Sequence, residues 1–287
     1  RRPGFGPTSR AARRDGRGQG VVAADVNNDG HIDLYVANDL CPNFLFLNKG
    51  NGRFEDITMI SCAAYNDDGN VEAGMGVDAG DVNGDGLPEL FVTNFFLEHN
   101  TLYQNLGGEL FQDISNASGV AAASIKSVGW GTALEDLDGD GWVDIFVTNG
   151  HVDDNLKQAY DRDEPYAQLP GLWRNRGKGV FDHVKDDPGA YFRTPHVGRG
   201  AAFGDLDNDG DIDMVVSHKD QRPAVLCNES RQNAQPANAW IQLKLVGTRS
   251  NRDMIGTRVE LDLGTQKLSR QIRRGKSNLS AHDLRMT

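Results

Sequence analysis

Four times the chain repeats one nine-residue acidic loop: Asp25 to Asp33, Asp81 to Glu89, Asp136 to Asp144 and Asp205 to Asp213. The shared pattern is D-x-[DN]-x-D-G-x-x-[DE]. Oxygen-bearing side chains recur at positions 1, 3, 5 and 9, and the Gly at position 6 turns the backbone sharply. Such a loop is a cage of hard oxygens suited to Ca²⁺. The expected ligands are Asp25, Asn27, Asp29 and Asp33 in the first loop, and Asp81, Asn83, Asp85 and Glu89 in the second. In the third they are Asp136, Asp138, Asp140 and Asp144, and in the fourth Asp205, Asp207, Asp209 and Asp213. The position-7 carbonyls of His31, Leu87, Trp142 and Asp211, with water, complete each shell, so up to four Ca²⁺ are expected. The second loop is expected to be the weakest, because Glu89 is a longer acid on the stiffer backbone that comes after Pro88.

The EF-hand loop begins the same way but requires a bidentate Glu at position 12 and a helix on each side. Position 12 here is Val36, Val92, Val147 and Val216, and Val cannot ligate a cation. Each loop runs instead into a strand-like segment: His31 to Asn38, Leu90 to Asn94, Asp144 to Asn149 and Asp213 to Ser217. These runs are short and rich in β-branched or aromatic residues. The loops therefore belong to β-hairpins.

Reading outward, each loop is one part of a longer repeat. A Gly-x-Gly precedes each first Asp: Gly18/Gly20, Gly74/Gly76, Gly129/Gly131 and Gly198/Gly200. A third strand closes each unit, Phe44 to Asn48, Leu102 to Asn105, Leu172 to Asn175 and Val225 to Asn228. Three units carry a fourth, Phe54 to Ile57, Phe111 to Ile114 and Phe181 to Val184. Four short strands per unit make a propeller blade, which must stack on its neighbours to bury its faces. The third unit is longer because a polar insert, about residues 150–170, separates its second and third strands. This insert is expected on the surface, either as a tolerated addition or as a partner-binding loop.

The repeats resemble the FG-GAP/VCBS type found in integrin α-subunit propellers and in many secreted bacterial proteins. His196 to Asp213 carries that resemblance most closely, and Asn149-Gly-His-Val152 ahead of an insert fits it too. Trp240 to Glu260 is similar to the ASPIC/UnbV module that comes after such repeats. Together they resemble the family of cartilage acidic protein 1 and its bacterial relatives. The resemblance implies an all-β, calcium-binding β-propeller with a small β-rich appendage, exported from the cytoplasm and often without an assigned enzymatic activity. The expected domains are a basic N-terminal segment over 1–17 (the end of a preceding blade), four blades over 18–236, and an ASPIC/UnbV-like domain over 238–287. Propellers of this type usually have six or seven blades. The chain opens on Arg1-Arg2 without an initiator Met, and the module's usual Gly-rich ending is missing. A fragment of a longer chain is the expectation.

Composition narrows the function. The net charge of −11 is uneven, because residues 1–20 and 239–287 are basic while the body is acidic. An acidic body disfavours nucleic acid, which demands a basic footprint. No apolar run is long enough to span a membrane. Low-affinity loops of this kind work only where calcium is millimolar, so a secreted, extracellular or periplasmic location is expected. Cys41 and Cys62 flank the outer part of one blade and would pair there only if their Cα atoms come close enough. His151 beside Asp153 and Asp154 reads as a packing histidine before a ligand or base. Gly275-Lys276-Ser277 lacks the Gly and the strand-to-helix context of a phosphate loop.

The expectation is a non-catalytic scaffold in which calcium stiffens the blades and loops engage a protein or glycan partner. The alternatives are a propeller enzyme acting on a carbohydrate at the central channel and a structural subunit of a larger extracellular assembly. A scaffold would leave only inert polar groups in the channel, whereas an enzyme would gather titratable groups there.

Overall fold

Apolar residues run consecutively along second and third strands, as in Phe44-Leu45-Phe46-Leu47, Leu90-Phe91-Val92 and Ile145-Phe146-Val147, so each hairpin has two faces to bury. In the computed structural model they do so as four consecutive antiparallel blades. The structure describes residues 11–287 apart from 12, 162, 187, 234–237, 265, 266, 274 and 279. Of the basic segment expected over 1–17, residues 1–10 and 12 therefore lie outside the described residues.

Blade 1 contains β1 (Gly18–Ala24), β2 (Asp33–Asn38), β3 (Phe44–Asn48) and β4 (Phe54–Asp56), hydrogen-bonded in that order. Blade 2 repeats this with β5 (Val77–Gly80), β6 (Glu89–Val92), β7 (Thr101–Asn105) and β8 (Phe111–Asp113). Blade 3 uses β9 (Gly129–Glu135), β10 (Asp144–Asn149), β11 (Gly171–Asn175) and β12 (Phe181–His183). Blade 4 has three strands among the described residues, β13 (Gly198–Gly204), β14 (Asp213–His218) and β15 (Ala224–Leu226). A two-stranded sheet, β16 (Arg258–Asp262) and β17 (Lys267–Gln271), completes the order. Helix is confined to short turns, and among the described residues no helix is long and apolar enough to cross a membrane.

Three buried layers hold the blades face to face. Tyr35 and Leu45 of blade 1 meet Leu90, Val92 and Tyr103 of blade 2. Phe91 and Leu102 of blade 2 meet Ile145, Val147 and Trp173 of blade 3. Ala133 and Phe146 of blade 3 meet Phe203, Met214 and Val216 of blade 4. Adjacent positions on one strand thus serve opposite neighbours, as the period-two geometry requires.

The second Gly of each Gly-x-Gly sets the inner spacing. A Cβ on Gly76 would stand 1.9 Å from the carbonyl oxygen of Trp130 on β9, and one on Gly131 would stand 2.6 Å from the Ala201 nitrogen on β13. Only Gly permits inner strands of neighbouring blades to approach so closely. Gly200 of blade 4 faces Ser280 and the Asn278 carbonyl instead, so a C-terminal segment stands beside β13 where another inner strand would run. That segment continues along the other inner strands. Ser277 donates its N–H to the Val77 carbonyl at 2.7 Å and accepts the Thr132 N–H on its hydroxyl at 3.0 Å. Asp283 donates to Phe203 O at 2.9 Å.

The expected surface insert is partly internal. His151 and Gln168 at its two ends are buried, as is Leu156 at the start of a short helix, α2 (Leu156–Tyr160). Its ends are tied to blade 4, because Gln168 and His196 exchange backbone hydrogen bonds and Arg199 donates to the carbonyls of Gly150 and His151. Asp153 N–H donates to His151 Nδ1 at 3.1 Å, a packing role for that ring. Cys41, Cys62 and Cys227 are free thiols, so Cys41 and Cys62 do not pair.

Candidate metal centres

All four acidic loops join the first and second strands of a blade, so they lie at one end of the propeller. Their internal geometry repeats. The carboxylate at position 1 accepts backbone N–H groups from within the loop: Asp25 from Asp29 and Gly30, Asp81 from Gly84 and Gly86, Asp136 from Asp140 and Gly141, Asp205 from Asp209 and Gly210. The position-5 carboxylates of Asp29, Asp85, Asp140 and Asp209 accept the N–H of His31, Leu87, Trp142 and Asp211 at 2.8–2.9 Å. Asn27 and Asn83 at position 3 accept the N–H of Asp29 and Asp85.

Position 9 is the buried floor of each loop. Asp33, Glu89, Asp144 and Asp213 are at most 2% exposed. Each accepts the N–H of position 2 on one oxygen, from Val26, Val82, Leu137 and Leu206. Each accepts on the other the N–H of the Asn that closes the third strand, from Asn48, Asn105, Asn175 and Asn228. None of the four forms a salt bridge among the described residues. Burial, with repulsion from neighbouring loop carboxylates, pushes Asp33 up to about 7, Asp144 to about 8 and Glu89 to about 9. Asp136 is pushed to about 6 in the same way, against the pull of Arg270.

Such groups need a proton or a cation to be comfortable. Where position 3 is Asp, three carboxylates converge: Asp136, Asp138 and Asp144, and likewise Asp205, Asp207 and Asp213, offer oxygens within 4.8 Å of one another. The donors are hard oxygens, which fits Ca²⁺ and not a soft metal. Asp140 and Asp209 stay outside these groups, their carboxylates engaged by the position-7 N–H. Two loops carry competing cations: Arg174 Nε lies 2.7 Å from Asp138, and Arg231 Nε lies 3.1 Å from Asp211.

The family comparison agrees with the repeat. A profile of the FG-GAP-like repeat matches residues 25–92, 81–147 and 136–216, together about two thirds of the chain. The chain belongs to the FG-GAP-like repeat family. Mouse cartilage acidic protein 1 is 25% identical to it over 228 residues, covering 79% of this chain and 32% of that protein. The Xenopus tropicalis protein of the same name is 27% identical over 203 residues, covering 70% and 29%. This FG-GAP-like chain thus spans about a third of the length of these relatives. Among solved structures, an Agrocybe aegerita lectin that recognises non-reducing terminal N-acetylglucosamine is 20% identical, with a TM-score of 0.38, over 73% of this chain and 52% of that one.

The inner strands do not carry inert groups alone. Asp78 of β5, Glu135 of β9 and His282 of the C-terminal segment offer ligand atoms within 4.8 Å of one another. Cations from that segment accompany them. Lys276 Nζ donates to Glu135 at 2.7 Å, and Arg273 lies 3.9 Å from Asp78. Burial would push Glu135 up, but Lys276 and His282 hold it well below the usual carboxylate range. The adjoining cavity is about 50 Å³, room for water but not for a sugar.

Sequence reasoning passed over this cluster, and the signal lay in departures from the repeat. Three residues before each loop the other blades have Val22, Ala133 and Ala202 where blade 2 has Asp78. One residue before, Glu135 replaces Ala24, Gly80 and Gly204.

Proposed function

We propose that this chain is a calcium-stabilised, extracytoplasmic binding scaffold, with its propeller over residues 18–236 and an ASPIC/UnbV-like module over 238–287. The observation that carries the reading is the buried position-9 carboxylate, repeated in four blades without a cationic partner among the described residues. Ca²⁺ bound there would neutralise the repulsion among the carboxylates of each loop. The chain's own residues supply the rest: position 1 holds the loop's N–H groups, position 9 joins the loop to the third strand, and in the third and fourth loops positions 1, 3 and 9 would hold the cation. Extracellular modules of this type bind at roughly 10⁻⁴–10⁻³ M. That range supports a location where calcium is millimolar.

The C-terminal module supports the choice of binding face. Gln271 accepts the Asp25 N–H, Arg270 donates to Gly141 O, Gln242 donates to Asp205, and Trp240 covers Gly210. The loop end is therefore covered by the chain itself. The opposite end, formed by the connections between second and third strands, exposes Leu40, Leu97, Val152 and Leu169. Arg199 stacks on Trp130 there, 4.2 Å from the ring centroid. Apolar side chains beside an aromatic–Arg pair are the chemistry of a protein-binding face.

Calorimetric titration of Ca²⁺ into chelator-stripped protein tests the proposal. Saturable binding, weakened by Asp144→Ala and by Asp213→Ala, is expected. Absence of binding at millimolar Ca²⁺ by folded protein would overturn it.

A further inference from the structure

Blades 1, 2 and 3 each end in a fourth strand, and no fourth strand pairs with β15 among the described residues. In the three complete blades that strand opens with Phe54, Phe111 or Phe181, set opposite Asn48, Asn105 or Asn175. Each Phe comes six residues after its Asn, whereas six residues after Asn228 comes Ala234. The sequence of blade 4 lacks the aromatic that begins the strand elsewhere.

The filled positions define what belongs there. Ile57, Ile114 and Val184 donate their N–H to the carbonyls of Leu45, Leu102 and Leu172 at 2.8–3.0 Å. Phe111 and Phe181 donate to Ser61 O and Ser118 O of the preceding blade, both at 2.8 Å, and their side chains are buried. The fourth strand thus bonds its own sheet along one edge and the neighbouring blade at its start. By the same register, β15 turns the backbone N–H and C=O of Val225, the counterpart of Leu45, Leu102 and Leu172, toward the edge that carries no strand among the described residues. An open groove of about 610 Å³ lies there. Leu172 and Val184 of blade 3, Met214 and Leu226 of blade 4, and Tyr191 and Phe192 between them line it.

We infer that this groove is a strand-docking slot that accepts an extended segment of another polypeptide with the pattern Phe-x-[Asp/His]-[Ile/Val]. The incoming strand adds to the edge of β15, main-chain bonds giving affinity and side-chain pockets giving register. Its Phe stands opposite Asn228 and enters the apolar floor between Met214 and Leu172, as Phe181 does one blade earlier. Its aliphatic residue, three positions on, donates to Val225 O. The interface continues one that the chain already makes three times within itself.

A peptide spanning residues 108–116 of this chain, the fourth strand of blade 2, is the probe. Fluorescence anisotropy should show saturable binding to the folded protein, weakened at least about tenfold, or 1.4 kcal/mol, by Phe111→Ser in the peptide. Register is read separately at the native thiol. Cys227 is the counterpart of Leu47, Gln104 and Arg174, which face Glu55, Gln112 and Asp182. Directly opposed residues have Cα atoms about 5.5 Å apart, within disulfide reach. Peptides carrying one cysteine, activated as a mixed disulfide with thionitrobenzoate, are offered to Cys41→Ser/Cys62→Ser protein. Attack by Cys227 should release thionitrobenzoate rapidly with cysteine at the Gln112 position and slowly with it at the Asp113 position. A melting curve on the same sample confirms the fold. No binding to folded protein, equal binding of the Phe111→Ser peptide, or equal capture at both positions would each overturn the slot.

Discussion

The side-chain amide of Asn175 in blade 3 donates to the carbonyl of Val82, in the acidic loop of blade 2, at 2.8 Å. The relationship recurs at both other blade boundaries, from Asn105 to Val26 O at 2.8 Å and from Asn228 to Leu137 O at 2.7 Å. Each Asn also donates to its own loop, at Pro88, Val143 or Ile212, and gives its backbone N–H to the position-9 carboxylate. One side chain therefore ties two consecutive acidic loops together.

Asn175→Ala leaves two buried carbonyls without this donor and should cost about 2–3 kcal/mol. Asn48 supplies the comparison, because among the described residues its amide nitrogen bonds its own loop alone, at Ile32 O. Asn48→Ala should cost about 1 kcal/mol less, the worth of one hydrogen bond. Urea denaturation in saturating Ca²⁺ measures both, and equal losses would remove the inter-blade role.

Stability without metal should fall as pH rises. Asp33, Asp144 and Glu89 have folded values raised to about 7, 8 and 9 by burial and neighbouring carboxylates. Their ordinary values are 3.8, 3.8 and 4.5. The folded state then holds protons more tightly than the unfolded state, so this contribution is full below about pH 4 and is lost as pH climbs through the raised values. Ca²⁺ replaces those protons, so the stabilisation it gives should grow over the same interval. Urea midpoints between pH 5 and pH 9, with chelator and with Ca²⁺, read both slopes. Chelated protein that gains stability from pH 6 to pH 8 would contradict the assignment.

Lys276→Met removes the ammonium partner of Glu135, leaving His282, and should loosen the C-terminal segment from the inner strands. The expected loss is toward the lower end of roughly 3–5 kcal/mol, since Glu135 keeps 23% of its side chain exposed. Adding Glu135→Gln should recover much of it, because no unpaired charge remains. Hydrogen exchange at residues 275–283 is the readout. Unchanged protection in the Lys276→Met protein would show that backbone contacts such as Ser277 to Val77 suffice.

The four repeats and their hairpin positions were legible because they derive from local spacing: D-x-[DN]-x-D-G fixes a turn, and Val at position 12 continues a strand. The closing Asn was visible as a recurring ending but not as a bridge, since its partners Val26, Val82 and Leu137 lie 79, 93 and 91 residues earlier. The C-terminal docking was hidden for the same reason, Thr132 and Ser277 being 145 residues apart. The insert looked polar throughout, yet its ends are held by Arg199 and His196 of the next blade, which no local pattern announces.

The central claim, that calcium holds the blades together, is tested most directly by thermal melting of one sample in excess chelator and in 5 mM Ca²⁺. A ligand present at ten times its Kd stabilises by about 1.4 kcal/mol per site. Several loops filled together should therefore raise the melting midpoint by roughly 2–4 °C for each kcal/mol gained. The gain should shrink when Asp144 is replaced by Ala. Superimposable curves with and without Ca²⁺, at concentrations where no other ligand is present, would contradict the account.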